Sequence, residues 1–361
     1  MQIMKILYDP QQHFHTGFHK PMIDYGDRNL QFTKGHIDYF FPDEMRSPGG
    51  TDLSKEVLMI GSMQGTGEII FSPHTLITNS IPWVVDVEHV DWFFMNDYLV
   101  IPEEQYIFAW KKKIAQKMLQ SQWCRKILCR SNRAAESIKH LFKNEAIANK
   151  CVLFYPCQPV RKLIQNEGKP VNLGIINSSY AGYYRKGGDI ALKIFTSLKR
   201  KYPDLQLIYV GPMPPKTFIF NPYKIPGFIH YDNLDHEMLI SEILPKIDIL
   251  LLPSRADTFG TVVLEAMSYG KAVVVSSGRH VFGINEIIKD GENGFVIQHP
   301  SDNRPTHACA QKVNIGEFIH KTEMLISNFE LRKKLGANAR KLIKDKLSTK
   351  VMNRILRSAL V

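Results

Sequence analysis

Apolar positions along this 361-residue chain fall into short unbroken runs, each followed by a stretch with helical spacing. The clearest run is Ile247-Asp248-Ile249-Leu250-Leu251-Leu252, stopped by Pro253-Ser254. Such a run reads as a strand buried on both faces of a parallel sheet. Phe259-Gly260 then opens a helix with Val262, Val263, Ala266 and Met267 on its buried side. Around this unit the second half predicts strands at Leu173–Ile176, Leu205–Val210, Phe228–Tyr231 and Ala272–Val275. Helices are predicted over Gly188–Arg200, over a stretch of which Ile240–Leu244 is part, and through the basic segment Glu317–Leu360. The first half begins with a strand at 3–8 and a loop, Gln11 to Lys20, that contains Gly17. Strands follow at Ile69–Phe71, Pro82–Val87 and Lys126–Cys129, then a helix near 132–143 with Ala134, Ala135, Ile138, Leu141 and Phe142 on one face. Strand–helix alternation argues for parallel α/β sheets with ligand edges at the carboxyl ends of the strands.

The length suits two domains, and the Pro-, Gln- and Gly-containing link from Pro156 to Pro170 divides them. Hydrophobic content of 44% with 22% charged residues is that of a well-packed soluble protein. No window approaches 18 uncharged apolar residues, which excludes a transmembrane helix, and the N-terminal run is too short for a signal peptide. Five cysteines (124, 129, 151, 157 and 309) lack metal-ligand spacing and read as reduced thiols in a cytoplasm. The net charge of +11 is unevenly placed: residues 111–150 hold 11 Lys/Arg against 2 Asp/Glu, whereas residues 1–110 hold 6 against 15. Such asymmetry points to a partner.

The bend between the Leu250 strand and the Thr261 helix presents backbone N–H groups and a positive dipole end, where an anionic ligand binds. Two acids, Asp257 and Glu265, flank it. The stretch PSRADTFGTVVLEAMSYGKAVVVSSGRHVFGINEIIKDGENGFVI resembles the donor-binding segment of the retaining GT-B glycosyltransferases, most closely glycosyltransferase family 4. That resemblance implies two Rossmann-like domains facing each other across a cleft. The expected division is an acceptor-side domain over 1–160, a nucleotide-sugar domain over 161–344, and a last helix (345–361) returning to the first domain. It implies a hexosyltransferase-type enzyme that moves a sugar from a nucleoside-diphosphate sugar to an acceptor hydroxyl with retention, in polysaccharide or glycolipid assembly. A non-catalytic GT-B-like partner subunit, and a GT-B-fold epimerase or phosphorylase, stay open.

By the same resemblance Glu265 binds the ribose hydroxyls and Asp257 lies near the donor sugar. The backbone of Phe259, Gly260 and Thr261 takes the diphosphate, Lys186 neutralises the leaving group, and Glu286 follows the Gly283-Ile284 sugar loop. The family's usual Arg is replaced by Ala181, leaving Arg185 as the local candidate. Gly17 matches a loop that closes over the diphosphate, without its second glycine. His89 matches a strand-end histidine that reaches the donor sugar, and His13, His15, His19 and His74 are weaker matches. Each residue also has a plain reading. Asp257 suits a helix cap and Glu265 a first-turn acid; Arg185 and Lys186 suit a solvated helix start, Glu286 a surface acid, and His89 a structural histidine. Asp86-Val87-Glu88 has the form of an acid-x-acid metal site but lies in the wrong half for one. With Lys186 present, neither a metal nor another cofactor is expected.

Trp110, Ile114 and Met118 recur every fourth residue beside Lys112, Lys113 and Lys117. A basic amphipathic helix within 110–133 suits an anionic membrane surface; its alternative is an ordinary helix packed on the sheet with solvated lysines. The expected partners are a nucleotide sugar, a glycan or lipid-linked acceptor and that surface, with no nucleic acid. The expected setting is cytoplasmic, with a peripheral contact on the inner face of the membrane.

Overall fold

The computed structural model describes residues 3–11, 16–25, 27–39, 58–94, 109–168, 170–177, 180–214, 221–281, 283–300 and 311–360. His13, His15 and Cys309 lie outside them. The backbone divides into two compact units, one formed by 1–157 with 349–361 and the other by 158–348.

The first unit opens with β1 (Met4–Tyr8), α1 (Thr16–Asp24), β2 (Leu30–Lys34), β3 (His36–Tyr39) and β4 (Ile60–Gln64). It continues with β5 (Ile69–Pro73), β6 (Leu76–Ile77), β7 (Trp83–Val87) and α2 (Ala109–Gln120). Next come β8 (Cys124–Cys129), α3 (Asn132–Phe142), α4 (Glu145–Ala148) and β9 (Cys151–Leu153). Its main sheet runs in the order β2-β1-β5-β7-β8-β9, with every pairing parallel. A small sheet, β3-β4-β6, stands apart.

The second unit contains β10 (Asn172–Ile176), α5 (Tyr180–Arg185), α6 (Gly188–Lys199), β11 (Gln206–Val210), β12 (Phe228–Tyr231) and α7 (His236–Met238). It goes on with β13 (Ile249–Leu252), α8 (Thr261–Ser268), β14 (Ala272–Ser277), β15 (Phe295–Gln298), α9 (Ile315–Ser327) and α10 (Phe329–Lys346). The final helix, α11 (Thr349–Leu360), belongs to the first unit. There Asn353 donates to the Tyr25 carbonyl at 3.1 Å and Arg357 to Asp27 at 2.8 Å. The sheet order β12-β11-β10-β13-β14-β15 is also all parallel. The order reverses between β10 and β13, and the crevice outside their carboxyl ends is where ligands bind in such sheets.

Two local expectations need correction, and a third element shows which way it faces. Gly17 does not sit in a loop: α1 has begun by Thr16, because Phe18 and Met22, one turn apart, are both needed in the core. Val262 is only half-buried, whereas Leu264 and Glu265 are buried, since α8 is covered on most sides by β13, β14 and α10. In α2 the inward face is Lys111, Ala115 and Leu119. The helix is thus turned so that Trp110 and Ile114, 44% and 38% exposed, point to solvent.

Candidate active site

The apolar side chains of β13 are buried on both faces, which ends the strand in the crevice at Pro253. Beneath it the chain leaves α5 through Arg185-Lys186-Gly187. A Cβ on Gly187, whose φ is 76°, would lie 2.1 Å from the Pro253 carbonyl oxygen. Only glycine lets the two loops touch there. The Arg185 carbonyl accepts from the Arg255 N–H at 2.8 Å, and the Arg255 guanidinium forks onto both Asp189 oxygens at 2.7 and 2.8 Å.

This junction delivers Lys186 to Asp257. Their side chains form an ion pair and are 17% and 3% exposed. The Asp257 carboxylate also accepts from Ser254 Oγ at 3.4 Å and from the Phe259 N–H at 3.3 Å. One buried acid therefore ties an ammonium to the backbone at the mouth of α8. The residue before α8 is Gly260, with φ 72° and ψ 55°. Asp257 is thus not the cap of this helix; it makes a tight turn two residues ahead of it. Among the described residues no acceptor meets the N–H groups of Gly260 and Thr261. A half-buried cation beside open amides at a helix start is a place for an anion.

Glu265 lies one turn into α8, its side chain 3% exposed, and its Oε1 is 2.8 Å from His236 Nε2 at the start of α7. Below the loop, His299 places Nε2 3.1 Å from the Ser254 carbonyl; burial is the main reason its pKa is lowered. Glu286 is exposed at the end of the turn Ile284–Glu286.

In the first unit, charged groups gather at the carboxyl end of β7. Asp86, fully buried, receives Arg130 Nε at 2.7 Å and lies 3.2 Å from His19 Nε2. Arg130 also pairs with Glu88, so the acid-x-acid pair is spent on one guanidinium. Among the described residues no group of three or more His, Cys, Asp or Glu is placed to hold a metal. His89 follows β7, buried, with Nδ1 2.7 Å from Asp91 Oδ2.

Residues 160–342 match the family described as glycosyl transferases group 1. The chain belongs to that family. An uncharacterized glycosyltransferase of Methanocaldococcus jannaschii is 28% identical over 227 residues, 61% of this chain and 54% of its own. The trehalose synthase of Pyrococcus horikoshii is 28% identical over 184 residues, 47% of this chain and 40% of its own. The group 1 chain spans about half the length of these curated relatives. Among solved structures, Anabaena HepE in complex with UDP and glucose superposes with a TM-score of 0.61 at 14% identity, covering 99% of both chains. The fold is GT-B.

In this group 1 chain the second unit brings Arg185, Lys186, Asp257, Phe259, Gly260, Thr261 and Glu265 to one sheet edge, with Glu286 on the neighbouring turn. Gly17 and His89 belong to the first unit. Reasoning from sequence missed His236 and Arg255. Arg255 stands inside the motif, and its fork onto Asp189 was hidden by a separation of 66 residues. His236 follows Asp235, which caps α7 by accepting from the Met238 N–H at 2.8 Å. Nothing in its spacing points to Glu265.

Proposed function

We propose that this chain transfers a glycosyl group from a nucleoside-diphosphate sugar to an acceptor hydroxyl, with retention at the anomeric carbon, in polysaccharide or glycolipid assembly. One observation carries the reading: the Lys186–Asp257 pair holds a cation against the open amides before α8, with the Glu265 carboxylate one turn further in. Lys186, Arg185 and the Gly260 and Thr261 amides take the diphosphate, and the Phe259 N–H, which donates to Asp257, holds the turn that presents them. Glu265 takes the ribose hydroxyls, a carboxylate being able to accept two at once. Asp257, Glu286 and His89 are proposed to serve the transferred sugar, and Gly17 is proposed as a diphosphate residue. The bond from the anomeric carbon to the diphosphate breaks as the acceptor oxygen bonds on the same face, and the acceptor's proton passes to the departing phosphate oxygen. The protein's part is positioning and charge stabilisation. These cations and amides meet the leaving charge, so the reading calls for no metal. The HepE structure holds UDP and glucose, which puts UDP-sugars first in the donor panel, ahead of GDP- and ADP-sugars.

The lipid or glycan acceptor is proposed to lie at a membrane surface engaged by the basic segment 110–133. No helix among the described residues is long and apolar enough to cross a membrane, and the exposed Trp110–Ile114 stripe beside Lys112, Lys113 and Lys117 supports a peripheral contact.

The test is turnover of the donor panel by the wild type and by Glu265→Ala. A single nucleotide sugar should be consumed, with the product anomer matching the donor by NMR, and the variant should lose about tenfold or more in kcat/KM. Turnover unaffected in Glu265→Ala, or an inverted product, refutes the corresponding part of the reading.

A further inference from the structure

We infer that His236 is a positioning residue for Glu265, and through it sets the chain's preference for a ribose over a deoxyribose nucleotide. The inference rests on the proposed nucleotide role of Glu265. Glu265 is buried on α8, and Oε1 lies 2.8 Å from His236 Nε2. A buried carboxylate whose rotation is unconstrained presents its oxygens in many directions. One charge-assisted bond to Oε1 fixes the plane and leaves Oε2 aimed in one. His236 is itself held. It is the first residue of α7, whose N-cap Asp235 accepts from the Met238 N–H at 2.8 Å. The helix then continues through Ile240 and Ile243, both buried in the second unit, while the Ile240 carbonyl accepts from Tyr269 Oη just beyond α8, at 2.8 Å. The imidazole therefore reaches Glu265 from an element docked against the end of the same helix. Its side chain is 25% exposed, against 3% for the carboxylate, so the histidine stands on the solvent side, where a pentose would arrive. A pentose 2′-hydroxyl donating to Oε2 senses the alignment of the carboxylate. Phosphate contacts at Lys186 do not.

Affinities of UDP and 2′-deoxy-UDP, with the GDP and ADP pairs alongside, are measured by calorimetry on the full chain. The wild type should prefer the ribonucleotide. In His236→Ala that preference should fall about tenfold, chiefly by weakening the ribonucleotide. His236→Gln, whose amide nitrogen can stand near the position of Nε2, should restore it. Should the alanine protein melt early, His236→Asn, whose amide falls short of Glu265, carries the same expectation. Loss of preference in Glu265→Ala but not in His236→Ala or His236→Asn overturns this inference alone. Tighter ribonucleotide binding in His236→Ala also overturns it, since the histidine would then be competing for the carboxylate. No preference in the wild type, or none lost in Glu265→Ala, overturns the ribose role itself.

Discussion

Removing Lys186 does two separable things. It takes away the cation proposed to meet the diphosphate, and it leaves the Asp257 carboxylate buried with only long bonds from Ser254 and Phe259. An uncompensated buried charge costs about 3 kcal/mol or more. Lys186→Met should therefore lower both stability and kcat/KM, the latter by about 10²-fold. Adding Asp257→Asn should recover much of the stability without recovering turnover. Urea unfolding and steady-state rates on the four proteins of this cycle check it. If activity returns with stability, Lys186 is only structural. In the first unit, burial is the main reason the pKa of His19 is lowered. For Asp86 burial pushes the carboxyl up, and Arg130 followed by His19 outweigh it, so the net shift is downward. The signs agree: a group depressed in the fold binds its proton more readily when unfolded, so stability is lost as pH falls below the unfolded value. His19 thus loses stability below about pH 6.5, and Asp86 only below about pH 4. Thermal melts should show the early decline reduced in His19→Gln; an unchanged slope between pH 7 and 5.5 counts against this account.

At the scale of elements, the loop before α8 depends on backbone shape as much as on side chains. Gly260 is left-handed, and a Cβ there would meet Leu252 Cδ2 at 2.8 Å. Gly260→Ala should cost about 1–2 kcal/mol from conformation, more with the clash, and should weaken nucleotide diphosphate binding by shifting the amides of the first turn. Calorimetry with UDP beside an unfolding curve checks it; full affinity in the alanine protein would remove those amides from the site. The elements that could be read from sequence are those where one signal suffices. Four consecutive apolar residues in β13, and Phe228–Tyr231 between turns, need no tertiary information. The helix before Ile243 was legible only in part, because its start is a three-residue turn capped by Asp235 that passes through a wider coil at Leu239–Ile243. Gly17 was misread because Phe18 and Met22 announce a helix only when their common burial is known. The first-unit set of Asp86, Arg130 and His19 joins α1, β7 and the end of β8, and no local pattern links them. The Glu265–His236 contact spans 29 residues and is invisible for the same reason.

At the scale of the whole chain, the family match covers 160–342, the stretch whose motif sequence reading also found most specific. The first unit carries the weaker signal, because the chain leaves its main six-stranded sheet to build the separate β3-β4-β6 sheet, and its charged groups pair with one another. Its basic segment nonetheless keeps a feature that internal pairing does not explain. Trp110 and Ile114 are turned outward while Ala115 and Leu119 fill the core, so apolar burial within the unit does not account for the stripe. Flanking lysines contribute about 1 kcal/mol each at an anionic surface within a Debye length. Lys112, Lys113 and Lys117 together with two inserted side chains then suffice for salt-sensitive, reversible binding. Sedimentation with phosphatidylserine-containing liposomes should pellet the wild type at low salt, much less at 0.5 M, and hardly at all with phosphatidylcholine alone. Trp110→Ala with Ile114→Ala should reduce pelleting at every salt concentration, whereas replacing the three lysines by Gln should remove its salt dependence. Equal pelleting of the wild type with both lipids would leave the outward stripe without a membrane role.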